Sequence, residues 1–282
     1  MGMPHNYIVE KVLNNNVVVA KGTGHEEFIM IGKGIGFGKK KGSHLDDENF
    51  EKVFKLYDQE EQELYKQLLK DLDPAVLEVV YEAILHIQKR LNMPLNEHIH
   101  IGLTDHIAFA VKRIRQGLEI KNPFLKDTEL LYPREYQIAE EVVAFLNSRL
   151  KAGLPPAETG FVALHIHSAV SDKPLSAVNE HAGLLLRLII VIENQLNIKI
   201  DKQSIDYARL LSHLRRVIDR AEKVESGGEE QEKLAWLLKQ EYPVCYNLSW
   251  KLIRIIQQDL RKTVPESETV YITVHLQRLI TS

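Results

Sequence analysis

Several things are scarce in this sequence. It holds one cysteine, Cys245, in 282 residues, so no internal disulfide can form, and the expected setting is a reduced, cytoplasmic one. It has no long apolar run. The longest, Ala182 to Ile192, is interrupted by Arg187 and falls short of the ~18 residues of a membrane span. The opening MGMPHNYIVEKV has no apolar core of signal-peptide type. Excess charge is also lacking: 36 basic residues face 39 acidic ones, for a net charge of −3. A chain that is basic throughout is excluded, and a nucleic-acid surface would have to be a local patch.

What is present is ordinary in bulk, with 44% apolar and 27% charged residues, as in a folded soluble protein. The length suggests two or three domains. The unusual count is twelve histidines.

The pattern changes near residue 55. Before it, short β-branched runs (Tyr7–Val12, Val17–Ala20, Glu27–Ile31) alternate with the turn formers Asn14-Asn15-Asn16 and Lys21-Gly22-Thr23-Gly24, which predicts a small antiparallel sheet. A sheet of ~55 residues has a marginal core, so a dimer is expected on size alone. After residue 60, apolar residues recur at helical spacing in Glu60–Leu72, Pro74–Leu91, Leu103–Gly117, Pro133–Leu150, Ala177–Leu196, Ser204–Glu225, Glu230–Gln240 and Cys245–Leu260. Glu225–Gln231 reads as a solvated loop, and residues 1–6 as a loose end.

The helical part is a duplication. Leu131-Tyr132-Pro133 recurs 110 residues later as Glu241-Tyr242-Pro243. Tyr136 and Tyr246, Pro155 and Pro265, and Glu158-Thr159 and Glu268-Thr269 keep that offset. So do Phe161-Val162-Ala163-Leu164-His165 and Tyr271-Ile272-Thr273-Val274-His275. Upstream, Leu103-Thr104-Asp105-His106 matches Leu210-Leu211-Ser212-His213 at an offset of 107. Two homologous helical bundles follow, each with one histidine early and one late.

Three readings of the histidines stand side by side. They are ordinary core or surface residues, or metal ligands, or sites of reversible phosphorylation. His98-x-His100 and His165-x-His167, read as extended segments, place imidazoles on one side, and Asp105 adds a carboxylate beside His106. The second copy has Asp206, His213 and His275 without such a pair, which weighs against a duplicated metal site. Histidine titrates near neutrality and can act as an unprotonated nucleophile. A phosphoryl group on it would repel a like copy or pair with arginines. Arg113, Arg115, Arg215, Arg216 and Arg278 fall within a turn or two of these histidines in sequence.

Lys11-Val12-Leu13-Asn14-Asn15-Asn16-Val17, followed by Gly32-Lys33-Gly34-Ile35-Gly36-Phe37-Gly38-Lys39-Lys40, resembles the co-antiterminator RNA-binding domain of the BglG/SacY/LicT family of transcriptional antiterminators. The Leu-Thr-Asp-His and Phe-Val-Ala-Leu-His-Ile-His segments resemble that family's phosphotransferase-system regulation domains. The stretch Asn96–Leu125 is most similar to the members that serve glucose operons. The resemblance spans essentially the whole chain and implies a multidomain protein. A small antiparallel β RNA-binding domain (1–60) would be followed by two homologous all-α helical-bundle regulation domains (61–173 and 174–282).

It further implies that the β module dimerises and binds a leader mRNA hairpin, the ribonucleic antiterminator, so that an overlapping terminator cannot fold. The phosphoacceptors it implies are His106 and His165 in the first regulation domain and His213 and His275 in the second. Its implied partners are HPr, the EIIB part of a sugar permease (glucose being the sugar expected) and a second copy of the chain. No catalytic residue, metal, cofactor or direct membrane insertion is expected.

The chemistry of the first module agrees with this. A-form RNA hides its major groove, so proteins read shape, the minor groove and unpaired bases. Asn14 and Asn16 offer amide groups on a turn, Gly32 and Gly34 permit close backbone approach, Phe37 can stack on a base, and Lys11, Lys33 and Lys39 can meet phosphates. Residues 1–45 hold six lysines and three acids, a net of +3, leaving −6 of the chain's −3 for the rest. The sequence GKGIGFGKKKG has no Walker hydroxyl, which removes a nucleotide-binding P-loop. The alternative kept open is a histidine-based metal-binding or phosphotransfer enzyme.

Overall fold

The computed structural model describes residues 7–22, 27–32, 34–45, 52–54, 73–118, 120–122, 124–223 and 232–281. Expectations for residues 1–6, the Glu60–Leu72 helix, Thr23-Gly24, Lys33 and the Glu225–Gln231 loop lie outside these residues.

The first module is a five-stranded antiparallel sheet of β1 (Tyr7–Asn14), β2 (Val17–Lys21), β3 (Glu27–Ile31), β4 (His44–Leu45) and β5 (Lys52–Phe54), in the order β4-β1-β2-β3-β5. The two short strands were not visible as periodicity, since two or three residues hold no pattern. The β1–β2 ladder shifts register between Val9 and Lys11 and again between Val12 and Asn14. Bulges of this kind sharpen the local twist. β2 lies at the centre, and its run Val17–Ala20 is buried throughout. Alternating side chains split between two apolar faces. Val18, Ala20, Phe28 and Met30 pack with Tyr7, Val9, Ile35 and Leu45. Val17, Val19, Ile29 and Ile31 pack on the other side, against Leu77.

The rest is helical: α1 (Pro74–Leu91), α2 (His98–Arg115), α3 (Leu125–Leu131), α4 (Pro133–Leu150), α5 (Ala157–Ser171), α6 (Leu175–Leu196), α7 (Ile205–Lys223), α8 (Glu232–Glu241), α9 (Pro243–Leu260) and α10 (Glu268–Thr281). Among the described residues the helices fall into two series of five. Local signals set their ends. Asp73 caps α1 by accepting from the Ala75 N–H at 3.0 Å, with Pro74 at the first helical position. Asn92 and Asn197 close α1 and α6 in the left-handed conformation, at φ 54° and 52°.

The duplication extends to backbone geometry. Tyr132 (φ −133°, ψ 55°) and Tyr242 (φ −129°, ψ 56°) make the same corner before α4 and α9. Lys151 and Arg261 end those helices at φ 49° and 51°. Asn147 holds the loop after α4 through the Leu154 carbonyl at 3.0 Å, and Gln257 reaches the Val264 carbonyl at 3.4 Å.

One expectation is overturned. His98-x-His100 and His165-x-His167 are not extended: the first opens α2, and the second lies inside α5. Residues two apart on a helix point away from one another, so neither pair presents two imidazoles on one side. The misreading of α5 has a physical cause. The helix is buried on most of its circumference, from Glu158 through Ile166, and an all-round apolar helix shows little 3.6-residue contrast. α10, its counterpart, was missed as well.

The chain forms two compact units, residues 1–120 with 140–156 and residues 121–139 with 157–282. In the second, Leu188, Ile192, Leu210, Leu214, Leu252, Ile256, Ile272 and Leu276 form a continuous core. α6 is the one described helix long and apolar enough to cross a membrane. Its buried residues Val178, His181, Leu184, Leu185, Leu188, Ile189 and Ile192 follow helical spacing on one face, as in a core helix.

Candidate functional site

Two groups of residues combine chemistry with placement. The first is the turn between β1 and β2 and the glycine loop after β3. The Asn16 carboxamide oxygen accepts from the Gly34 N–H at 2.9 Å. Backbone bonds run from the Gly32 N–H to the Asn16 carbonyl (3.0 Å) and from the Gly36 N–H to the Asn15 carbonyl (2.9 Å). Asn16 therefore braces the loop, a role beyond the surface amide expected of it. Gly34 sits at φ 72°, where a side chain would strain the backbone. The clamped loop holds Phe37 out, 76% exposed.

Lys11 and Lys40 are exposed, and Lys39 Nζ donates to the His44 carbonyl at 2.9 Å. Lys41 and Lys21 flank Glu10, and the contact with Lys41, followed by their charges, holds its carboxyl below the usual range. Asn14 ends β1 opposite Val17.

The second group lies in the second helical repeat. His213 on α7 is 4% exposed, and its ring centroid is 5.1 Å from that of His275 on α10. Nε2 of His213 and Oε2 of Glu268 lie 3.1 Å apart. Both atoms are buried, in a contact whose angles fall short of a full hydrogen bond. Arg220 Nη1 reaches the other carboxylate oxygen of Glu268 at 2.9 Å. Burial pushes the Glu268 carboxyl up, but contact with His213 and the charges of Arg220, His213 and Arg216 outweigh it, so the group sits below its usual value. His275 is lowered to about 4, first by burial, then by repulsion from His213, Arg278 and Arg216, with Asp206 opposing. At neutral pH its imidazole is uncharged, as a nucleophile requires.

Sequence reasoning missed Glu268 and Arg220. The signal for Glu268 was available: it recurs at the 110-residue offset as Glu158, which is also fully buried. Arg220 carried no signal. Arg215, expected near His213, instead lays its guanidinium over the Tyr132 ring at 4.5 Å, with Nη1 donating to the Leu131 carbonyl. Tyr132 also has a neighbour in His167, with ring centroids 4.0 Å apart, and Nδ1 of His167 pairs with Glu135 at 2.9 Å.

In the first repeat His106 is half-buried on α2 and His165 is 8% exposed on α5. They belong to different compact units. Among the described residues no group of three or more His, Cys, Asp or Glu side chains is arranged to hold a metal ion.

A small sheet whose glycine loop carries an exposed aromatic and lysines, joined to duplicated histidine-bearing helical repeats, suits the class of RNA-binding regulators. The comparisons agree. Residues 7–63 match the CAT RNA binding domain, and residues 81–169 and 186–279 each match the PRD domain. The chain is 50% identical over 277 residues to the PtsGHI operon antiterminator of Bacillus subtilis (strain 168), covering 98% of each. It is 41% identical over 273 residues to the GlcA/glcB genes antiterminator of Staphylococcus carnosus (strain TM300), covering 96% and 95%. A crystal structure of GlcT CAT-PRDI aligns with a TM-score of 0.52 at 52% identity, over 58% of this chain and 98% of that one. The chain belongs to the BglG/SacY family of antiterminators, which are regulators and not enzymes.

Proposed function

We propose that this protein binds a hairpin in a leader mRNA and keeps an overlapping terminator from folding, at an operon for glucose uptake. Residues 1–60 are the RNA-binding domain, and residues 61–173 and 174–282 are regulation domains. The observation that carries this reading is the Asn16–Gly34 clamp, which holds an exposed Phe37 on the loop that also carries Lys39 and Lys40. An exposed ring offers stacking to an unpaired base, and the lysines offer phosphate contacts.

The same reading makes His106, His165, His213 and His275 phosphoacceptors. HPr and the EIIB part of the glucose permease are the donors, the active form is a homodimer, and the setting is the cytoplasm. The support is the recurrence of paired histidines in both repeats, and in the second the close approach of the two rings with one held neutral. A phosphoryl group brings roughly −1.5 to −2 charge into a cluster containing Arg216, Arg220 and Arg278, enough to shift a balance between dimer arrangements.

The test is electrophoretic titration of the full-length protein with a leader hairpin from a glucose-uptake operon at several salt concentrations. Tight binding that weakens steeply with salt, and is lost in Asn16→Ala/Phe37→Ala, is the expected result. Binding that the double variant leaves unchanged removes this RNA surface.

A further inference from the structure

The two histidines of the second repeat are not equivalent. His213 is 4% exposed, its Nε2 is enclosed, and that nitrogen faces the Glu268 carboxylate at 3.1 Å. Enclosed against that carboxylate, the nitrogen is out of reach of a donor's phosphorus. A phosphoryl group there would stand against an ionised carboxylate in a buried site, which is costly unless Glu268 leaves. His275 is arranged the other way. Its Nδ1 is the buried nitrogen, and the ring as a whole is only partly buried.

We propose that His275 is the entry acceptor of the pair and that Glu268, braced by Arg220, is a positioning residue that closes His213 to the donor. The inference rests on the phosphoacceptor reading above and assigns the two sites an order. In the transfer, the lone pair of His275 Nε2 forms the new N–P bond while the N–P bond of a phosphoimidazole donor breaks. The electron pair of that bond returns to the donor nitrogen. His213 becomes reachable only when Glu268, released by Arg220, swings away.

The experiment uses the full-length chain with two donors: HPr kept in its phosphohistidine form, and phosphoramidate, a small donor that needs no docking. Site-resolved mass spectrometry follows each histidine with time. With either donor, position 275 is expected to label at least about tenfold faster than position 213. His275→Asn should remove the fast phase. Glu268→Gln in the His275→Asn background should raise labelling of His213 by about fivefold or more, a gain that a merely structural glutamate would not give. Should Glu268→Gln fail to fold, Arg220→Met on the half-exposed guanidinium loosens the brace and must move His213 labelling in the same direction. Equal labelling of the two histidines in the unaltered protein overturns the proposal, and so does a His213 rate indifferent to both variants. If HPr labels neither histidine while phosphoramidate shows the ordering, the phosphotransfer reading fails and the positioning role of Glu268 stands.

Discussion

The hydroxyl of Tyr207 donates to the carboxylate of Asp127, tying the start of α7 to the short helix α3. Tyr207 is fully buried and Asp127 is 4% exposed, with Lys202 Nζ 2.8 Å from the second carboxylate oxygen. Burial, then the bond to Asp127, pushes the phenol above its usual value, so it stays a donor at any working pH. Hydrogen bonds to charged groups are worth about 1.5–3 kcal/mol. Tyr207→Phe is expected to lose that amount in urea unfolding. Asp127→Ala should lose more, because it strands the Tyr207 hydroxyl in the core. A double variant close to the sum of the two would show the contact to be energetically idle.

Phe37 separates binding from folding. Its ring is 76% exposed, so Phe37→Ala should change thermal stability by no more than about 0.5 kcal/mol. Hairpin affinity should fall by about 1–3 kcal/mol, the range of a lost base–aromatic stack. Asn16→Ala should cost both, since its side chain holds the loop through Gly34. Calorimetry beside RNA titration distinguishes the two variants.

The fold was legible wherever a local signal coincided with a buried face. Pro74–Leu91 and Pro133–Leu150 were bounded correctly because each opens on a proline and ends on the last leucine of its apolar stripe. β1, β2 and β3 were legible because asparagine and glycine punctuate them. The duplication was visible in side chains before it was visible in the matching corners at Tyr132 and Tyr242. What could not be read were elements defined by tertiary surroundings. α5 is buried on most sides and lacks a periodic stripe. Arg220 meets Glu268 from a different helix, at a separation no motif spans. The candidate site was therefore half legible: its histidines stood out by repetition, while the groups that make them unequal did not.

His275 gives the second repeat a pH dependence of known sign. Its folded value of about 4 lies below the ordinary 6.5, so between these values the unfolded chain binds more protons. The contribution is fully present above pH 6.5 and is lost as pH falls toward 4, with an upper bound of about 3 kcal/mol. The groups facing His275 are His213, Arg278 and Arg216, which lower its value, and Asp206, which opposes them. His275→Gln should flatten the stability profile from pH 6.5 to 4 in chemical denaturation. A slope unchanged in that window would show that other groups set it.

The first repeat has a functional test of its own. His106 lies half-buried on α2, and a phosphoryl group there is expected to switch the protein off. His106→Asp, a partial charge mimic, should reduce read-through of a terminator in a reporter strain. Constitutive read-through instead would reverse the sign assigned to the first regulation domain.

Leu77 has a bearing on how the sheet behaves when separated from the helices. It is 2% exposed, and it packs against Val17, Val19, Ile29 and Ile31. A fragment ending at residue 60 keeps those four aliphatic side chains and loses the leucine that shields them. Such a fragment must find a substitute cover, and a second copy of itself offers the same aliphatic surface in return. Its melting temperature then depends on how much of it is in the tube, by mass action.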